Sequence, residues 1–169
     1  MKLFCTTFRS SIVKACALLG FIVAAPLAGA IPAHAQTPNT LLYLYSGVYD
    51  SGDAANTGSA TSIHCSNFSG VDVNVQVVVY DTIAALKGNG ALAIPNNESR
   101  TASTHLTNAY TEDQSFGFGT GTIRAGFALV VASSPYVVCS AQVVDAAAQN
   151  PIGFSLHGIR YNPIPGTQE

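Results

Sequence analysis

Between Val71 and Tyr80 valine recurs at every second position, with Asp72, Asn74 and Gln76 in between. That period of two places Val71, Val73, Val75, Val77 and Val79 on one face of an extended chain, so the segment reads as a half-buried β-strand. Val78 and Tyr80 break the polar face near its end, which predicts that a second layer or a partner covers that end. Such a strand requires neighbours on both sides and an opposing apolar layer. The remaining sequence offers them as short runs rich in Val, Thr, Tyr, Phe and Ser, separated by Gly, Asn, Pro and Asp.

Further strands are expected at about Thr40–Tyr49, Ala60–Asn67, Ala91–Ile94, Arg100–Leu106, Thr122–Ala132, Tyr136–Asp145 and Ile152–Tyr161. Lys87-Gly88-Asn89-Gly90 and Asn96-Asn97-Glu98 read as turns, and residues 107–121 are the least regular stretch. Ala146 to Gln149 offers one helical turn at most, because Asn150-Pro151 ends it. About eight short strands at regular spacing predict an all-β fold, a two-sheet antiparallel β-sandwich with Greek-key connections.

The N-terminus has a different character. Lys2, Arg9 and Lys14 precede an apolar, small-residue run from Ala15 to Ala30, and Ala33-His34-Ala35 supplies an A-x-A-like cleavage site. Residues 1–35 therefore read as a bacterial secretory signal peptide, and residues 36–169 as a single domain with a frayed tail from about residue 162. Export to the periplasm or the extracellular space is the expected address, with no membrane insertion once the signal is removed. Loss of Lys2, Arg9 and Lys14 leaves four cations (Lys87, Arg100, Arg124, Arg160) against nine acidic residues, a formal charge near −5. So acidic a surface disfavours nucleic acid, whose phosphates need clustered Lys and Arg.

Cys5 and Cys16 leave with the signal, so Cys65 and Cys139 remain as a pair. In an exported chain two cysteines without C-x-x-C spacing are expected to form a disulfide. It would close a loop of about 75 residues, which the chain-entropy description values at roughly 4 kcal/mol. Joining the second strand to the next-to-last one, this bridge resembles that of an immunoglobulin-like domain, which implies a bridge between the two sheets. The chain has no tryptophan to pack on the bridge, and Val137 rather than Tyr stands two residues before Cys139.

Motifs that would carry chemistry are sparse. Ser155 and His157 share a strand face, but no G-x-S-x-G surrounds them. His64, His105 and His157 fall on separate strands without metal-ligand spacing, and His64 should face opposite to Cys65. Asp50, Asp53 and Asn56 share a Gly-rich loop with hard oxygen ligands, a candidate calcium site without the EF-hand pattern. Glu112 and Asp113 are a weaker version; as strand neighbours they would face opposite ways.

Tyr43, Tyr45 and Tyr49 fall on one face of the first strand, with Leu42, Leu44 and Val48 on the other. With the leucine face buried, these tyrosines would form an aromatic platform for a glycan or an envelope protein. No cofactor is implied. The sequence points to a non-catalytic exported binding module or structural envelope component, the alternative being a carbohydrate-active or other hydrolytic domain whose residues converge only in three dimensions. An exposed edge strand pairing with another subunit is a third possibility, and the oligomeric state is open.

Overall fold

The valine run forms one strand of a two-sheet sandwich in a computed structural model that describes residues 37–150 and 152–161. The signal-peptide reading and the tail from residue 162 lie outside the described residues. Ten strands form among the described residues: β1 (Thr40–Asp50), β2 (Ser59–Asn67), β3 (Val73–Tyr80), β4 (Leu86–Ile94), β5 (Ser99–Ser103), β6 (Gln114–Gly117), β7 (Ile123–Ala132), β8 (Val137–Asp145), β9 (Gly153–Leu156) and β10 (Gly158–Arg160). One sheet has the order β10-β1-β7-β3-β4 and the other β6-β5-β2-β8-β9. All pairs are antiparallel except β5 with β6, which run parallel.

Alternation dictates the core. Val73, Val75, Val77 and Val79 of β3 point inward and are buried, with Asn74, Gln76, Val78 and Tyr80 half-buried on the outer face. Leu42, Val48, Ile63, Leu92, Ile94, Ile123, Val130 and Val137 complete a fully buried layer between the sheets. Burying each such aliphatic side chain is worth roughly 1.5–3 kcal/mol.

Several expected elements take another form. Lys87–Gly90 is no turn; it lies within β4. A Cβ at Gly88 would meet the Phe118 ring and one at Gly90 the Phe116 ring, so the glycines serve a close approach of β6 and the residues after it. The irregular stretch contains β6, and the single C-terminal strand splits into β9 and β10, which sit in different sheets on either side of His157.

The disulfide is present between Cys65 and Cys139. It does not join the sheets, as the immunoglobulin-like layout implied. Cys65 and Cys139 are directly registered partners on β2 and β8, adjacent strands of one sheet, with Cα atoms 4.1 Å apart. That spacing matches the close, non-hydrogen-bonded type of antiparallel pair.

Candidate functional site

Polar side chains collect on the outer face of the bridged sheet. Since Ile63 and Cys65 point into the core, Ser62, His64 and Ser66 of β2 point outward, opposite Ser103, Thr101 and Ser99 of β5. Each opposed pair is hydrogen-bonded: Ser62–Ser103 at 2.9 Å, His64 Nδ1–Thr101 Oγ1 at 2.8 Å and Ser66–Ser99 at 2.7 Å. A rung of this kind fixes the rotamers of both partners.

The loop from Thr104 to Asp113 folds back over this face. Its turn is closed by the Asp113 and Gln114 N–H groups, which donate to the Tyr110 carbonyl, and Thr101 N–H donates to the Asp113 carbonyl. Asn108 ties the loop to the turn after β8, its N–H on the Ala146 carbonyl and its amide on that of Ala147. The Asp113 carboxylate thereby lies 2.8 Å from His64 Nδ1 and accepts from the Thr101 hydroxyl at 3.0 Å. With Nδ1–H directed to Asp113, a neutral His64 ring presents Nε2 as an acceptor.

Tyr110 completes the cluster. Its ring lies 5.3 Å from that of His64, and its hydroxyl donates to Gln142 Oε1 at 3.2 Å. Its φ of 59° is a left-handed conformation uncommon for a bulky side chain, held by the turn hydrogen bonds. Burial, and then the neighbouring Asp113 charge, raise the Tyr110 phenol above its ordinary value. Tyr110, Thr111, Glu112, Asp113 and Gln149 line a shallow concavity of about 340 Å³. Glu112 and Asp113 share it because they sit in a turn, where the strand rule that neighbours face opposite ways does not apply. One residue on, Gln114 Nε2 is a buried donor with no acceptor among the described residues.

The tyrosine stripe is placed differently from the expected platform. Tyr43 and Tyr45 are 7% and 2% exposed, in the core, and Tyr49 is half-buried. Irregularities in the β1–β7 register at Leu41/Tyr43, Ser46/Val48 and Val48/Asp50 shift the phase of the strand, turning Tyr43 and Tyr45 inward and leaving Leu44 half-buried. The gap between sheets is about 10 Å, and a tyrosine spans it. Tyr45 crosses it to donate its hydroxyl to the Cys139 carbonyl at 2.5 Å.

The three loop residues considered for calcium are also separated. Asp50 is fully buried, and its oxygens accept from Gly52 N–H at 2.7 Å and Thr120 Oγ1 at 3.1 Å and meet His105 Nδ1 at 2.9 Å. The other His105 ring nitrogen meets the Thr57 carbonyl at 3.0 Å. Asp50 and His105 therefore anchor the β1–β2 loop, whereas Asp53 and Asn56 lie exposed along it. Ser155 on β9 and His157 between β9 and β10 are both exposed.

Sequence reasoning found His64, Glu112 and Asp113 separately but missed Tyr110, Thr101, Gln142 and Gln149. The one signal for their convergence was the irregular stretch 107–121, too long for a simple turn. No protein-family model, curated protein or solved structure matches this chain.

Proposed function

We propose that the protein is an exported, non-catalytic binding domain that holds a glycan at the Tyr110 concavity. The observation that carries this reading is the convergence of a phenol, two carboxylates, an amide and a hydroxyl on one open hollow. Sugar hydroxyls donate well to carboxylates and amide oxygens, and a ring edge or face beside them supplies apolar contact. The strained backbone of Tyr110 adds support, since such conformations gather where a side chain must be aimed. The disulfide and the N-terminal segment support export.

A glycan array probed with the purified protein, followed by calorimetry on any hit, tests the reading. Tyr110→Ala and Glu112→Gln are each expected to weaken binding by about tenfold, the loss of one anchoring contact. Equal binding by wild type and both variants would sink the proposal.

A second reading rests on the His64–Asp113 contact alone. A carboxylate on Nδ1 is how a histidine is oriented as a general base, with Nε2 left to take a proton from water attacking a scissile bond. Ser140 is the registered partner of His64 across β8. Hydrolysis of chromogenic esters or glycosides by wild type but not by His64→Gln would favour this reading over binding alone.

A further inference from the structure

His105 is buried with both of its ring nitrogens against oxygen atoms. Nδ1 lies 2.9 Å from Asp50 Oδ2, and Nε2 lies 3.0 Å from the Thr57 carbonyl oxygen. A carbonyl oxygen only accepts, so Nε2 must carry a proton to bond it. The Asp50 carboxylate is an acceptor toward its other neighbours as well, the Gly52 N–H at 2.7 Å and the Thr120 hydroxyl at 3.1 Å. A carboxylate surrounded by donors is the ionised form, and it requires a proton on Nδ1 too. A neutral imidazole has one N–H and cannot serve both oxygens. In one neutral tautomer a lone pair faces the Thr57 carbonyl, and in the other it faces the Asp50 carboxylate.

We propose that Asp50, His105 and Thr57 form a proton-held clasp on the β1–β2 loop. Asp50 ends β1, Thr57 lies in the loop that follows, and His105 stands at the root of the loop that carries Tyr110. Beside the ring, the Asn56 N–H donates to the Leu106 carbonyl at 2.7 Å, so the clasp ties the two loops together. While His105 is an imidazolium, both of its bonds hold. When the ring gives one proton to solvent, one bond is lost and the segment Ser51–Gly58 loosens. The fastened state holds one proton more than the released state, so acid favours fastening and rising pH favours release. The groups that face the pair are the Thr57 carbonyl and the exposed Asp53 carboxylate from the loop, and the Thr120 hydroxyl from the segment before β7. The imidazolium compensates the Asp50 charge inside the fold, and deprotonation leaves that charge without a counter-ion.

The experiment is a pH series on protein purified after expression of the full chain, with the His105 ring nitrogens and the backbone amides followed together by nuclear magnetic resonance. At the acid end the ring is expected to show two protonated nitrogens. As pH rises, one nitrogen should become bare. Over the same interval, protection of the Asn56 amide, corrected for the intrinsic pH dependence of exchange, should fall about tenfold, the effect of one lost hydrogen bond. Amides of β3 should stay protected. His105→Gln, which keeps a neutral donor, is expected to show low Asn56 protection with no step in pH. Where that variant does not fold, the wild-type titration decides alone. A bare ring nitrogen with Asn56 still fully protected, a ring that keeps both protons throughout the folded range, a loop that loosens at a different pH from the ring, or a pH step retained by His105→Gln would each overturn the proposal.

Discussion

Cys65 on β2 and Cys139 on β8 are direct cross-strand neighbours, so the disulfide reinforces a ladder that already pairs residues from Ser59–Asp145 to Asn67–Val137. Its effect on the folded sheet is small, and its effect on the unfolded chain is the closure of a long loop. The Cys65→Ala/Cys139→Ala variant is therefore expected to fold with the same far-ultraviolet circular dichroism and to lose about 2–4 kcal/mol of stability. Urea unfolding of wild type with and without reductant should show the same difference. A double variant that cannot fold would show that the ladder depends on the bridge.

Asp50 and His105 are a buried pair whose partners leave little slack. Replacing His105 by Leu leaves the Asp50 carboxylate in the interior with only the Gly52 N–H and the Thr120 hydroxyl as donors. Removing one hydrogen-bond partner of a buried polar group costs about 1–3 kcal/mol. Chemical unfolding of His105→Leu is expected to show a loss of that size, and proteolysis should nick the freed loop between Ser51 and Gly58 first. A change below about 1 kcal/mol would show that the pair contributes no more than a surface contact.

Tyr45 makes a prediction about alkaline pH. Burial, with a further contribution from the Tyr43 phenol and opposition from Arg160, raises the Tyr45 phenol well above its ordinary value of 10.0. The folded chain therefore retains a proton that the unfolded chain releases. The associated stability is complete below about pH 10 and declines as pH rises beyond it toward the raised folded value. Absorbance titration should show one phenol ionising only as the protein unfolds. Tyr45→Phe should flatten the alkaline decline while costing about 1 kcal/mol at neutral pH through the lost bond to the Cys139 carbonyl.

Arg160 fastens β10 to the sandwich. Its guanidinium donates to the Tyr43 hydroxyl, to the Val137 carbonyl at 3.2 Å and to the Pro135 carbonyl at 2.6 Å, and it lies 4.8 Å from the Tyr43 ring centroid. Lysine cannot reproduce this fork. Arg160→Lys and Arg160→Ala are both expected to speed amide exchange across Gly158–Arg160 while leaving β3 and β7 protected. Unchanged exchange there would show that the backbone pairing with β1 alone holds the strand.

Much of the fold was legible because it rests on local periodicity. The valine alternation of β3, the runs that became β1, β2, β5, β7 and β8, and the pairing of Cys65 with Cys139 were all expected from residue spacing and type. The misreadings share a cause. At Gly88 and Gly90 a strand looked like a turn, because the phenylalanine rings that exclude a side chain there come from 26 to 30 residues further along the chain. In β1 the pattern gave two clean faces, but register irregularities rotated Tyr43 and Tyr45 into the core.

The candidate site was still less visible. His64 and Asp113 are 49 positions apart, and a turn tied to β5 and to the loop after β8 brings them together. By itself the sequence determined an all-β chain, because alternation is a property of the chain alone. Only the tertiary structure decided that the bridge lies within one sheet, that Tyr43 and Tyr45 belong to the core, and that His64, Tyr110 and Asp113 meet. Those outcomes depend on strand order, register and loop return, which are set by contacts between residues far apart in the chain.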